Sequence, residues 1–111
     1  MALDIKVRRK KKATVITLRG RVIGVDSERF SKKLEMVYGK SDDILLDLSK
    51  TDFLDSHGLG TLVYYFHCMQ KKRRDLIILN SNPNPNAYVR RLFELTNLDK
   101  ILKVVAKSDI L

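Results

Sequence analysis

Cysteine is nearly absent from this sequence, because only Cys68 among its 111 residues carries a thiol. A single cysteine cannot form an internal disulfide, and this favours a reducing compartment over secretion. Long apolar runs are missing as well. The first residues contain no stretch of signal-peptide length, and no later stretch approaches the roughly 18 apolar residues of a membrane span. These absences predict a soluble, cytoplasmic protein with no membrane span.

Acidic residues are few compared with basic ones. The chain has 13 Asp and Glu against 22 Lys and Arg, which gives a formal net charge of +9. Such a charge makes nucleic acid, anionic membranes and acidic proteins candidate partners, but net charge affects association and does not indicate the fold. The length allows one hydrophobic core, and 44% hydrophobic with 32% charged residues is typical of a globular domain. We therefore expect one domain over residues 1–111.

The hydrophobic periodicity changes repeatedly along the chain and predicts the order β-β-α-β-α-β-α-β. Strands are predicted at residues 3–7, 13–18, 44–48, 76–79 and 102–106. Helices are predicted after residue 26, after residue 56 and around residues 89–96. Strands that alternate with helices imply right-handed crossovers and a parallel sheet. The fold class is thus α/β, a mixed sheet with a parallel core, an antiparallel N-terminal edge hairpin, and helices packed on the sheet.

Several residues have the chemistry of element ends. Gly20 is predicted to end the second strand, and Asp26 or Ser27 to cap the first helix. Gly39 should stop that helix, and Asn97 should stop the third in the left-handed conformation.

Partners of an open α/β sheet bind at the loops that follow the parallel strands. Here these loops are predicted at residues 20–25, 49–58 and 80–86. In the second of them Ser56 stands at a helix start, where unpaired N–H groups and the helix dipole favour an anion. Gly58 and Gly60 leave the first turns open to the close approach of a partner. Ser56 could equally be only an N-cap, and a cap is compatible with a phosphate attached there.

Three short runs carry a family resemblance: LLDLS at residues 45–49, FL at 53–54 and DSHGLG at 55–60. Together they resemble the signature of STAS domains, specifically the stand-alone anti-sigma factor antagonists of bacteria, and the likeness extends over roughly residues 3–106. In that family the matching serine is phosphorylated by a kinase that is itself an anti-sigma factor. The unphosphorylated antagonist binds this kinase and frees the sigma factor.

The resemblance therefore implies that Ser56 is the phospho-acceptor and that Asp55 has a supporting polar role. It implies an anti-sigma factor or serine kinase as partner. A phosphatase is a further candidate partner, and the sequence does not say whether one resets the switch. Two residues depart from the family pattern. His57 stands where a small residue is usual, and Ile23 stands where many members carry an aspartate.

Enzyme chemistry finds no support in the sequence. Ser56 and His57 are adjacent, so their side chains point apart and do not form a nucleophile and base pair. Asp52, Asp55 and His57 match no common metal pattern, and no phosphate-binding glycine loop is present. We therefore expect no enzyme, no metal and no cofactor.

Two basic clusters, residues 9–12 and 71–74, should lie at the pole of the sheet opposite Ser56. They come with no DNA-reading motif and no interleaved aromatic residues, so we expect no nucleic-acid binding.

The predicted partner-binding surface consists of Asp55, His57, Gly58, Thr61 and Tyr65. It assumes that Thr61, Tyr65 and Cys68 lie on an exposed stripe of the second helix, with Tyr65 as the aromatic anchor. The neighbouring stripe would be buried: Leu59, Leu62, Val63, Phe66 and Met69.

The leading functional hypothesis is an anti-sigma factor antagonist in a partner-switching pathway. An alternative is a constitutive STAS subunit of a larger assembly, such as a transporter-associated complex, in which Ser56 only caps a helix. A basic nucleic-acid-binding module is the third.

Overall fold

The computed structural model describes residues 2–40 and 42–110. The elements in this part of the chain follow the predicted order, which is therefore confirmed. They are β1 (Asp4–Arg9), β2 (Ala13–Val22), α1 (Val25–Tyr38), β3 (Asp43–Leu54), α2 (Ser56–Lys71), β4 (Leu76–Leu79), α3 (Tyr88–Leu95), a 3-10 turn (Leu98–Lys100) and β5 (Lys103–Val105).

The five strands form one mixed sheet in the order β1-β2-β3-β4-β5. β1 and β2 pair antiparallel, and every other pair is parallel. Each crossover thus joins neighbouring strands, and right-handed crossovers place all three helices on the same face. The predicted fold class is confirmed.

Alternate residues of the strands divide between two hydrophobic clusters. Ile16, Leu46 and Ile78 belong to the main core, which also contains the buried residues of the three helices. The neighbouring positions Val15, Leu45 and Leu79 form a smaller cluster with Ile110 packed against it. Because successive residues of a strand face opposite sides, a strand buried on both faces is apolar throughout, as residues 44–46 are.

Two strands are longer than the sequence predicts. β2 continues through Gly20 to Val22, and β3 continues to Leu54, so most of the expected loop at 49–58 is strand. The pairing shifts register once before and once after Gly20, whose φ of 113° only glycine adopts without strain. A bulge of this kind lets pairing resume after an irregularity, so Gly20 bends the strand instead of ending it.

The predicted C-terminal ends of α1 and α3 are right, whereas the predicted caps of α1 are wrong. Gly39 follows the last residue of α1, and Asn97 has the expected left-handed φ of 58°. The N-cap of α1 is Gly24, and neither Asp26 nor Ser27 caps the helix. Both side chains are engaged elsewhere, since Asp26 accepts hydrogen bonds from the Leu3 N–H and from Arg29.

Of the helices in residues 2–40 and 42–110, none combines the length and the apolar character that a membrane crossing needs.

Candidate functional site

Ser56 is the first residue of α2 and follows β3 after a single intervening residue. Asp55, not Ser56, is the N-cap, and its backbone has the extended conformation expected there. Within the described residues the exposed Ser56 side chain makes no hydrogen bond. The interpretation of Ser56 as the helix cap is therefore wrong, and its hydroxyl is accessible at the N-terminal end of a helix.

The carboxylate of Asp55 is the centre of the site. Its Oδ1 accepts hydrogen bonds from the Gly58 N–H at 2.8 Å and from the Ser27 hydroxyl at 2.8 Å. Its Oδ2 accepts a third from the Gly24 N–H at 3.0 Å. One side chain thereby joins the start of α2 to the start of α1.

The hydrogen bonds decide the ionisation of Asp55. Partial burial acts to raise the pKa of the Asp55 carboxyl, but the bonds from Gly58, Ser27 and Gly24 outweigh it and hold the pKa below its ordinary value. Asp55 is therefore a fixed negative charge at the residue directly before Ser56. The supporting role in a phospho-switch that the resemblance implies for Asp55 stays a prediction.

Ser27, which the sequence predicts only as a candidate cap of α1, is a residue of the site. It is fully buried, and its hydroxyl reaches Asp55 from the inner face of α1. A signal was present in the spacing, because Ser27 shares one helical stripe with the buried residues Phe30, Leu34 and Val37. A polar residue on a buried stripe needs a hydrogen-bond partner, and that partner is Asp55.

Gly58 and Gly60 have different roles. A Cβ on Gly58 would lie 2.9 Å from Val22 Cγ1 and 3.0 Å from Leu54 Cδ1, whereas a Cβ on Gly60 would meet nothing within 4 Å. Gly58 is buried because the start of α2 packs directly on the ends of β2 and β3. The prediction that its missing side chain leaves room for a partner is wrong for Gly58, and the exposed Gly60 is the glycine that leaves space.

The predicted exposed stripe of α2 is also wrong. Thr61 and Tyr65 are each only 9% exposed, whereas Tyr64 is 61% exposed. Tyr65 packs against Tyr38, with 5.3 Å between the ring centroids. A helix rotates by about 100° per residue, so an error of one position moves a side chain from the solvent to the interface with α1. Cys68, the third residue of that stripe, is half-buried.

Exposed apolar side chains border Ser56. Ile23 is 45% exposed and Val25 is 74% exposed, and the intervening Gly24 is bonded to Asp55. On α2, Gly60 and Tyr64 follow Ser56 at intervals of four residues and share its side of the helix. We call the exposed residues of this region the Ser56 face: Ile23, Val25, Ser56, His57, Gly60 and Tyr64.

An aromatic stack fixes the strand that leads to the site. The Phe53 ring lies 5.1 Å from the Tyr88 ring, and the Arg21 guanidinium lies 5.1 Å from the centre of the Phe53 ring. The Tyr88 hydroxyl also donates to the Leu54 carbonyl at 3.0 Å. These contacts attach the start of α3 to the end of β3, directly before Asp55.

The two basic clusters lie at the other end of β3. At the start of this strand, the Asp43 N–H donates to the Lys12 carbonyl and the Ile44 N–H donates to the Asp75 carbonyl. Arg74 pairs with Asp42 at 3.6 Å. The structure therefore places residues 9–12 and 71–74 together, separated from Ser56 by the length of β3.

Comparison with known proteins connects this geometry to a family. A model of the STAS domain matches residues 4–109. The chain is 24% identical over 109 residues to the anti-sigma-B factor antagonist of Bacillus subtilis strain 168. This match covers 98% of this chain and 96% of that protein.

Solved structures share the fold. An anti-sigma factor antagonist from Mycobacterium paratuberculosis superposes with a TM-score of 0.82 at 23% identity, over 97% of this chain and 89% of that one. The Bacillus cell fate determinant SpoIIAA in its phosphorylated form superposes with a TM-score of 0.69 at 20% identity, over 92% of this chain and 91% of that one.

Proposed function

Because the chain belongs to the STAS domain family, we propose that it is an anti-sigma factor antagonist that works by partner switching. With Ser56 free, it binds an anti-sigma factor that is also a serine kinase. Phosphorylation of Ser56 by that kinase releases it, and a phosphatase resets the switch. The protein acts by binding and not by catalysis.

The observation that carries the proposal is the accessible Ser56 hydroxyl at the start of α2. It is exposed, makes no hydrogen bond within the described residues, and belongs to the residue after Asp55, whose carboxylate three donors hold in place. A kinase needs an accessible hydroxyl, and Ser56 satisfies this requirement without any loss of the helix cap. The relatives support the same role, since the Bacillus subtilis protein is named an anti-sigma-B factor antagonist.

The phosphate would act on the partner more than on the fold. It adds about −1.5 to −2 charges at a position that was neutral. The first N–H groups of α2 and the helix dipole favour an anion there, so we expect the domain to remain folded. In a docked complex the same charge would be desolvated next to Asp55, and an unpaired buried charge typically costs about 3–5 kcal/mol. Even about 3 kcal/mol lowers affinity more than a hundredfold.

The Ser56 face supplies the contact surface for this partner. Tyr64 replaces the buried Tyr65 as the aromatic anchor, and Ile23 and Val25 add exposed apolar area on the neighbouring element. Asp55 and His57 keep their proposed places next to the phospho-acceptor. Thr61 and Gly58 act beneath this surface, by packing.

The test begins with the protein isolated from its native cells, in which mass spectrometry should locate phosphate on Ser56. A pull-down from the native cytosol with Ser56→Ala should then retain the partner, and calorimetry with that partner should show tight binding by Ser56→Ala. The phosphorylated form should bind at least a hundredfold more weakly, and Ser56→Asp should be intermediate because it carries less charge.

Gln70→Glu is the control, because it adds a negative charge at an exposed position near the other end of α2. It should bind as the unmodified protein does. Equal binding by the free and phosphorylated forms would refute the release mechanism. If cells also contained no phosphate on Ser56, a constitutive STAS subunit of a larger assembly would be the better description.

A further inference from the structure

The outer edge of the sheet at β1 is open. β1 is the terminal strand and pairs only with β2 among the described strands. At its beginning, Asp26 and Arg29 bind the Leu3 N–H and carbonyl, so this position is occupied. The free edge therefore runs over residues 5–9.

The hairpin geometry shows which backbone groups point outward. The Lys10 N–H donates to the Ala13 carbonyl at 2.7 Å, which makes these two residues a hydrogen-bonded pair. Bonded and non-bonded pairs alternate along an antiparallel ladder. The register then has Lys6 and Arg8 bonded to β2, and leaves Ile5 and Val7 with N–H and carbonyl groups directed away from the sheet.

A shallow apolar groove adjoins these groups. It lies between β1 and α1, has a volume of about 200 Å³, and has Val7, Met36 and Val37 among its lining residues. Val7 is 41% exposed and Met36 is 57% exposed. Three basic residues also line the groove: Arg9, Lys33 and Lys40.

On the other face of the sheet β1 carries two basic side chains, and the acidic Asp4 stands at the start of the strand, before the free edge. Lys6 and Arg8 are exposed and alternate with Ile5 and Val7. A strand added to this edge would direct alternate side chains towards the apolar groove, and the side chains between them towards Lys6 and Arg8.

From these contacts we propose that the β1 edge binds an extended acidic peptide segment of a partner protein by strand addition. The segment alternates apolar residues, which enter the groove between β1 and α1, with acidic residues, which pair with Lys6 and Arg8. This surface is separate from the Ser56 face, so the protein can hold two partners at once.

Charge and hydrogen-bonding chemistry select this occupant over the alternatives. A second copy paired over the whole free edge, residues 5–9, would place Lys6 of each chain opposite Arg8 of the other, between two chains of net charge +9. A nucleic-acid backbone offers acceptors for the basic side chains, but its phosphates cannot donate to the outward carbonyls of Ile5 and Val7. A peptide strand satisfies both the donors and the acceptors of the edge.

The probe is a fluorescent eight-residue peptide of alternating Glu and Val, followed by anisotropy. A peptide of the same composition with the four Glu and the four Val in separate blocks, and an alternating Lys and Val peptide, are the controls. The alternating acidic peptide should bind at least tenfold more tightly than either control. Hydrogen exchange should show that the Val7 amide becomes protected when this peptide binds.

Two variants test the edge itself. Val7→Pro removes an outward N–H that β2 does not use, and proline is tolerated at such edge positions. Met36→Glu places an acid in the groove from an exposed helix position. Each should weaken peptide binding at least tenfold. Ile101→Glu should not, because Ile101 is an exposed apolar residue just before β5, the edge strand opposite β1. Since Met36→Glu changes only a surface residue, it keeps the test valid if Val7→Pro fails to fold.

Three outcomes would overturn the proposal. The block peptide could bind as tightly as the alternating one, which would reduce the effect to general charge attraction. Duplex DNA or anionic vesicles could displace the peptide while the Val7 amide stays unprotected, which would make the edge part of a polyanion-binding patch. Sedimentation could show a dimer that Val7→Pro disrupts, which would identify a second copy as the occupant.

Discussion

Replacing Asp55 by alanine should destabilise the domain strongly for a loop residue, because its carboxylate joins the starts of two helices. The change removes the N-cap of α2, which typically costs about 1 kcal/mol. It also removes the acceptor of the Ser27 hydroxyl, which is fully buried, and a buried polar group without a partner costs about 1–3 kcal/mol. The Gly24 N–H is exposed and can turn to water. The sum is about 2–4 kcal/mol.

Urea unfolding followed by far-UV circular dichroism measures this difference directly. Thermal unfolding gives a second measure. For a domain of this size about 1 kcal/mol corresponds to about 4 °C in Tm, so the Tm of Asp55→Ala should be about 8–16 °C below that of the unmodified protein. Asp55→Asn should lose less, about 1 kcal/mol, because its amide oxygen can still cap Gly58.

A double-mutant cycle with Ser27→Ala separates the bridge from the cap. Once Ser27 lacks a hydroxyl, Asp55→Ala should cost about 1–2 kcal/mol less, since no buried donor is left unpaired. Additive effects of the two changes would refute the bridging role. An Asp55→Ala variant within about 0.5 kcal/mol of the unmodified protein would refute the whole argument.

Three further predictions concern the same region. Gly58→Ala should destabilise the domain by about 1–3 kcal/mol, because the added methyl group clashes with β2 and β3. Gly60→Ala should stabilise it by about 0.5–1 kcal/mol, because the helix gains a better helix former in open space. Equal effects of the two changes in urea unfolding would contradict the packing described. Tyr64→Ala should weaken partner binding by about 1–3 kcal/mol in calorimetry and leave the fold intact. Tyr65→Ala should lower the free energy of unfolding by about 3–5 kcal/mol, which thermal melts measure. Because the folded-state pKa of Asp55 lies below its ordinary value of 3.8, the stabilisation from its ionised form is complete well above that pH and is lost as the pH falls through the folded pKa. The stability gap between the unmodified protein and Asp55→Asn should therefore narrow below about pH 4, and a constant gap would contradict this sign.

The order of the elements was predictable because each hydrophobic stripe has a definite period. Residues 76–79 are strand as expected, and Asn97 follows the end of α3 in the left-handed conformation. The long strands β2 and β3 were not predictable, because their extensions depend on a register shift around Gly20 that only the partner strand defines. Local turn chemistry suggested a loop where pairing across the sheet imposes a strand.

The position of Ser56 at a helix start was predictable, but its surroundings were not. Asp55 and Ser27 are 28 residues apart, and their hydrogen bond exists only because α1 and α2 are neighbours on the sheet. The sequence predicts Tyr65 as the exposed tyrosine, whereas Tyr64 is exposed in the structure, and this difference has a similar cause. Apolar spacing fixes the buried side of a helix only to within one residue, and the contact with Tyr38 decides which tyrosine is covered.

The strand order of the sheet has a consequence for biosynthesis. Since spatial order equals chain order from β1 to β5, each strand that leaves the ribosome finds its neighbour already made, and no strand has to be inserted between two others. Domains whose contacts are close in sequence fold quickly and expose unpaired edges only briefly. The three-residue β5 is an edge strand and pairs last. Local unfolding of the folded protein should therefore begin at β5 and leave the structure around Ser56 intact.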